Sequence, residues 1–155
     1  VETDQFYAMD EFYTDAQYGD DFGYYSTGHV LRAQPSKLGL AETQQFAHFT
    51  TYPMALSPHF ARVFCRLLFV MWIQLEERAP FRVVEMGAGS GQLAFDIQQC
   101  VKMNDLGIDP SVWRRWAAAF EYVIMERSPA LQARQRERGL RVVDGDAQTG
   151  ASRQP

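Results

Sequence analysis

The sequence predicts an α/β protein in which an incomplete parallel sheet follows a helical N-terminal region. From residue 81 onwards, short apolar runs alternate with amphipathic segments in the order β-α-(α)-β-α-β. Such alternation is typical of parallel strands joined by crossover helices. Before residue 79, helical periodicity and a concentration of aromatic residues dominate. With 155 residues, the chain is long enough for one domain with a sizeable core.

Helical spacing marks the first element near the N-terminus. Phe6, Met9 and Tyr13 share one face, which predicts a short amphipathic helix over about residues 4–14. Three glycines should then turn the chain into a loop: Gly19, Gly23 and Gly28. A polar connection over residues 32–45 follows.

A long apolar helix is predicted from Ser57-Pro58 to about Glu77, with the serine as N-cap and the proline in the first turn. Its apolar stripe is widened by further apolar residues: Val63, Val70, Trp72 and Ile73. We therefore expect this helix to be buried on most sides. Ala79-Pro80 should end it.

The sheet and its connections follow from the next sixty residues. The predicted elements are strand Phe81–Met86, helix Gln92–Met103, helix 110–119 begun by Asp109-Pro110, strand Tyr122–Met125, a helix from Ser128-Pro129 to Gly139, and strand Leu140–Val143. Three strands leave an edge that a complete doubly wound fold would cover, so the chain looks truncated. We divide it into an N-terminal region (1–78), the first half of a sheet domain (79–147) and a flexible tail (148–155).

A glycine-rich turn between the first strand and its helix carries the chemistry. It reads Glu85-Met86-Gly87-Ala88-Gly89-Ser90-Gly91, and its glycines allow a sharp turn and close approach to a ligand. The N-terminus of the next helix favours an anionic group there. Gln92 stands where a dinucleotide fingerprint needs its third glycine, and the Gly-Lys-Ser/Thr of a P-loop is absent. The remaining pattern, acid-x-Gly-x-Gly-x-Gly, resembles motif I of class I methyltransferases, whose fold is Rossmann-like.

An acid at the end of the second strand gives an independent indication. Glu126 follows Tyr122–Met125, where a carboxylate can accept both hydrogen bonds of a ribose diol. After the third strand, Asp144 and Asp146 lie where methyltransferases often hold the adenine amino group, and Asp146 is our choice.

Four segments together resemble one methyltransferase family: Gly23–Gly28, His48–Phe60, Val84–Leu93 and Glu126–Gly139. The chain is similar over about residues 6–147 to the MidA-like family, also called the complex I assembly factor 7 type. The resemblance implies S-adenosylmethionine as cofactor, held by Glu85, Gly87, Ala88, Gly89, Gly91 and Glu126. It also implies a protein arginine in a respiratory complex I subunit as acceptor, and an intracellular, mitochondrial location.

The resemblance has departures in the segment that should line the site. Thr51, with Thr50 beside it, matches the family's threonine near the cofactor, and Pro53 matches its proline. Met54 replaces the usual glutamate and Tyr52 the usual serine. These changes keep open a non-catalytic scaffold built on a truncated methyltransferase fold.

Composition narrows the remaining function classes. A formal charge of −4 gives no global attraction for nucleic acid, and the longest apolar run is far short of the roughly 20 residues of a membrane span. Neither the three histidines nor Cys65 and Cys100 show metal-ligand spacing, and the cysteines should be buried free thiols. Trp113 and Trp116 should be core residues. The arginines of 134–141 should form a solvated basic face paired with Glu137.

Overall fold

The computed structural model describes residues 8–31 and 51–145. Its elements are α1 (Met9–Tyr18), a 3-10 turn (His29–Leu31), α2 (Tyr52–Ala55), α3 (His59–Gln74), β1 (Phe81–Met86), α4 (Gln92–Met103), α5 (Pro110–Ala119), β2 (Phe120–Glu126), α6 (Pro129–Glu137) and β3 (Val142–Asp144). The order predicted from the sequence is confirmed, with the short helix α2 in addition.

The three strands form one parallel sheet in the order β1-β2-β3. Glu85 is level with Ile124, and Glu126 is level with Asp144. Both acids singled out in the sequence therefore lie towards the carboxyl ends of neighbouring strands, at the edge where open α/β sheets bind ligands. This is the predicted architecture, an incomplete Rossmann-like parallel sheet that follows a helical N-terminal region.

Helices α3, α4 and α5 supply the main core against the sheet. Trp116 is fully buried, with its ring centroid 5.4 Å from that of Trp72 and 5.3 Å from that of Phe81. Trp113 is also buried, which confirms that both tryptophans of α5 belong to the core. Cys65 and Cys100 are buried and free, as expected.

The burial of α3 differs from the prediction. Ala61, Cys65 and Trp72 are its buried residues, on the face that packs against the core. The opposite face exposes a set of large apolar side chains: Val63, Phe64, Leu67, Val70 and Met71. The expectation of burial on most sides is therefore wrong, because α3 packs mainly on α4 and only one of its faces meets the core.

Element boundaries also differ in places. The first helix begins and ends later than predicted, and Phe6 lies outside the described residues. Helix α3 begins at His59 and ends at Gln74, and Ser57 is not its N-cap. The Ser57 hydroxyl donates instead to the carboxylate of Asp96 on α4, and accepts from Gln92 Nε2 at 3.2 Å.

Candidate functional site

The glycine-rich loop joins β1 to α4 through three left-handed residues. Gly87, Gly89 and Gly91 have φ values of 65°, 58° and 72°, a region that disfavours side chains. The Gly91 N–H donates to the Ala88 carbonyl at 2.9 Å, which closes the turn. A Cβ at Gly91 would lie 2.6 Å from Leu140 Cδ1, whereas one at Gly87 would meet nothing within 4 Å. Gly91 is thus required for packing, and Gly87 leaves open space.

Glu126 ends β2 with a buried carboxylate. Its Oε1 accepts the backbone N–H groups of Arg127 at 2.9 Å and Ser128 at 3.0 Å, and its Oε2 accepts Gln135 Nε2 at 3.4 Å. The side chain is 4% exposed, and burial raises the pKa of its carboxyl group above the ordinary value, against the effect of these donors. The carboxylate is thereby oriented but incompletely solvated, so further hydroxyl donors would stabilise its charged form.

Glu85 lies next to Glu126 across the strand pair. Its Oε2 accepts the Tyr122 hydroxyl at 2.9 Å. Burial raises the pKa of Glu85, the Tyr122 hydrogen bond opposes this, and the negative charge of Glu126 raises it further. Two carboxyl groups that disfavour their charged forms thus lie beside the glycine loop, a pattern typical of ligand-binding sites.

One cavity of about 390 Å³ brings these groups together. Glu85, Glu126 and the loop residues Gly87–Ser90 line it on the sheet side. Further lining comes from segments that precede the sheet: Gln17, Tyr18, Tyr25, Thr51, Pro53 and Met54. Its volume falls within the range of about 300–1,000 Å³ that is usual for small-molecule sites.

The N-terminal segment is fixed to the cavity by contacts with the sheet domain. Tyr18 stacks on Tyr25 with ring centroids 5.5 Å apart, and the Arg127 guanidinium lies 4.4 Å from the Tyr18 ring centroid. Val30, Met54 and Leu131 form a second buried cluster. The aromatic residues, which the sequence analysis did not place in the site, therefore contribute to its wall.

The sequence-predicted site residues have different outcomes. Glu85, Gly87, Ala88, Gly89, Glu126 and Thr51 line the cavity. Gly91 does not line it, because it is buried under Leu140 as the N-cap of α4. Thr50 and Asp146 lie outside the described residues, as does His48. Asp144 ends β3, where its Oδ1 accepts Gln132 Nε2 at 3.1 Å and it lines a second cavity, of about 400 Å³.

Gln135 of α6 and Arg138, the C-cap of that helix, were missed by the sequence analysis. Gln135 Nε2 donates to the Gly89 carbonyl at 2.8 Å, and Arg138 Nη1 donates to the Ser90 carbonyl at 3.0 Å. Arg138 was expected on a solvated basic face, but it lies half-buried over Phe95 and also binds the Gln92 side chain at 2.8 Å. Helical spacing of 135 and 138 was the available signal, since residues three apart share a face.

The described residues contain no group of three His, Cys, Asp or Glu side chains arranged to hold a metal ion. Within residues 8–31 and 51–145, no helix combines the length and the hydrophobicity that crossing a membrane requires.

A parallel sheet with a glycine loop after its first strand and a buried acid at the end of its second is the arrangement in which α/β proteins hold nucleoside cofactors. The comparison with protein families agrees. Residues 63–144, more than half of the chain, match the family described as "Putative S-adenosyl-L-methionine-dependent methyltransferase". The chain belongs to this family, and S-adenosylmethionine is its expected cofactor. Searches of curated proteins and of solved structures gave no match.

The residues present fit this cofactor. Gly87 leaves space where a side chain would project, and the first turn of α4 offers backbone N–H groups to a carboxylate. Glu126 offers an acceptor for hydroxyl groups, and the cavity that it shares with the loop is of suitable size.

Proposed function

We propose that the cavity binds S-adenosylmethionine with its methionine end at the glycine loop and its ribose at Glu126. The observation that carries this proposal is that Glu126 and residues Gly87–Ser90 line the same cavity. Glu85 would orient the methionine end, and Thr51 and Tyr18 would close the site from the N-terminal side. Asp144 and Asp146 are the candidates for the adenine.

We further propose a protein arginine as methyl acceptor, in a subunit of respiratory complex I and in the mitochondrion. The support is the resemblance of the chain to the MidA-like family. The cavity is also walled by N-terminal segments that belong to that resemblance, including Tyr25, Thr51 and Pro53. An acceptor side chain that enters the cavity would meet these residues.

The bound cofactor supplies an activated methyl group that an acceptor nucleophile takes by direct displacement. The protein's part is alignment. Its glycine loop and Glu126 are rigidly attached to neighbouring strands, so they fix the two ends of one ligand relative to each other. The stacked aromatic pair Tyr18 and Tyr25 lines the cavity on its N-terminal side.

Transfer of a labelled methyl group tests the proposed activity. The chain is incubated with methyl-tritiated S-adenosylmethionine and arginine-containing peptides, and with matched peptides that carry lysine in place of arginine. We expect label in methylarginine after hydrolysis, and at least about tenfold less label at subsaturating cofactor when Glu126→Gln replaces the wild type. Label in another residue would refute the arginine acceptor while leaving a methyltransferase.

A non-catalytic scaffold is the second candidate function, and one observation favours it. Met54, at the position of the family's usual glutamate, is 3% exposed and packs with Val30 and Leu131. It therefore contributes no carboxylate to the cavity. A scaffold would bind S-adenosylmethionine or its product without transferring the methyl group to any peptide.

A further inference from the structure

Gln135 is a buried amide that contacts both halves of the proposed cofactor site. Its side chain has no exposed surface. The Nε2 group donates to the Gly89 carbonyl at 2.8 Å and to Glu126 Oε2 at 3.4 Å. One side chain on α6 thus links the glycine loop after β1 to the carboxylate at the end of β2.

Stability alone gives a poor account of this glutamine. The Gln135 Oε1 atom is buried and has no hydrogen-bond partner among the described residues. Burying an amide with an unpaired carbonyl costs free energy that an apolar side chain would avoid. Filling space therefore does not account for the amide. Its two hydrogen bonds, to Gly89 and to Glu126, indicate that it orients these two groups.

The hydrogen bond to Gly89 sets the orientation of the loop. In a trans peptide the carbonyl and the following N–H point in opposite directions, so a Gly89 carbonyl held by Gln135 turns the Ser90 N–H to the other side. Arg138 holds the next carbonyl, that of Ser90, at 3.0 Å. Helix α6 and its C-cap residue thereby hold two consecutive carbonyl groups of the loop that lines the cavity.

The hydrogen bond to Glu126 restrains the carboxylate from the opposite direction. The Oε1 atom of Glu126 accepts the backbone N–H groups of residues 127 and 128, and its Oε2 atom accepts the Gln135 amide. Both carboxylate oxygens are thus oriented before a ligand binds, which lowers the cost of ordering on binding.

We propose that Gln135 is a positioning residue that sets the glycine loop and Glu126 at the separation which one S-adenosylmethionine molecule spans. This inference rests on the proposed function. In this role Gln135 couples the binding of the methionine part to the binding of the ribose part and contacts neither part of the ligand.

Two probes separate such a role from a structural one. S-adenosylhomocysteine contains both the nucleoside and the amino-acid part, whereas 5′-methylthioadenosine lacks the amino-acid part. Calorimetric titration of each into wild type and Gln135→Met gives the preference for the complete ligand. We expect the variant to bind S-adenosylhomocysteine about tenfold more weakly than wild type does. Its affinity for methylthioadenosine should fall by a smaller factor, so the ratio of the two affinities decreases severalfold. Gln99→Met, on the half-buried face of α4, is the matched control and should keep the wild-type preference.

A structural role predicts a different result. Loss of folded protein scales the apparent affinity of both probes by the same factor, so it leaves the preference unchanged. An unchanged preference in Gln135→Met would overturn the proposal. If that variant does not fold, Gln135→Asn, which keeps a shorter amide, takes its place; failure of both to fold would assign Gln135 to the fold instead. A wild type that binds neither probe would refute the proposed function itself.

Discussion

The hydroxyl of Ser128 donates a hydrogen bond of 2.7 Å to the carbonyl oxygen of Tyr25, across 103 positions of the sequence. The Ser128 hydroxyl oxygen also accepts the Leu131 N–H at 3.2 Å and so caps α6. Ser128 also follows Glu126 by two residues. This one side chain therefore connects the aromatic N-terminal segment to the strand end and the helix beside the proposed cofactor site.

Replacing Ser128 by alanine should destabilise the protein. The change removes the N-cap of α6 and the hydrogen bond to Tyr25, and we expect a loss of about 2 kcal/mol in the free energy of unfolding. Urea denaturation measures it. Ser111→Ala is the matched control, because Asp109 still caps α5 without that hydroxyl, and it should lose less than about 0.5 kcal/mol. Equal losses in the two variants would contradict the role given to Ser128.

Cofactor affinity should fall as the solution becomes more acidic. Burial raises the pKa of Glu126 above the ordinary value of 4.5, and hydroxyl donors of the ligand favour its charged form. Affinity for S-adenosylhomocysteine should therefore be constant above this raised pKa and decline as pH falls through it. Titration calorimetry at a series of pH values measures the effect.

Glu126→Gln is the control for this pH dependence, since it removes the titrating group. Its affinity should vary less with pH, and the remaining dependence should come from Glu85, whose pKa is also raised. The raised pKa values of Glu126 and Glu85 affect the stability of the free protein in the opposite direction to their effect on affinity. A raised pKa in the folded state contributes stability at low pH that is lost as pH rises through that pKa. A pH profile in Glu126→Gln identical to that of wild type would contradict the assignment.

Two glycines of the loop should respond differently to alanine. Gly91→Ala places a Cβ 2.6 Å from the buried Leu140 Cδ1 at a φ of +72°, so we expect a loss of about 3 kcal/mol in stability. Gly87→Ala meets no atom within 4 Å and should cost only about 1 kcal/mol from its positive φ. Since Gly87 lines the cavity, its variant should instead lose cofactor affinity. Thermal unfolding and ligand titration on both variants measure the contrast.

The two faces of α3 should differ sharply in mutational sensitivity. Leu67 is 53% exposed, so Leu67→Gln should change the free energy of unfolding by less than about 0.5 kcal/mol. Trp72 is 1% exposed and packs against Trp116, so Trp72→Ala should cost about 3–5 kcal/mol. Chemical denaturation compares them. A large loss in Leu67→Gln would show that its face of α3 is covered in solution.

The sequence was sufficient to predict the sheet and the glycine loop and acid at its carboxyl edge, because both depend on local pattern. Runs of β-branched residues mark the strands. Three glycines at alternate positions, Gly87, Gly89 and Gly91, indicate a tight turn without any knowledge of the rest of the fold. Glu126 could be recognised because its place at a strand end decides which edge of the sheet it reaches.

What the sequence could not predict depends on contacts between distant segments. The apolar residues of α3 looked buried because their pattern shows hydrophobicity and not which faces meet a neighbour. Ser57 looked like an N-cap, but its hydroxyl binds Asp96 on α4. Arg138 was assigned to a solvated basic face and Gln135 was not singled out, and only their hydrogen bonds to the glycine loop reveal their positions.

Direct titration of S-adenosylmethionine into this chain tests the central claim, and Glu126→Gln is the variant of the site. The control is Glu121→Gln. Glu121 lies on the same strand as Glu126, but its carboxylate pairs with Arg82 of β1. The proposed site predicts one-to-one binding that Glu126→Gln weakens at least about tenfold and Glu121→Gln leaves unchanged. A folded chain that binds no cofactor, or a Glu126→Gln variant that binds as tightly as wild type, would contradict it.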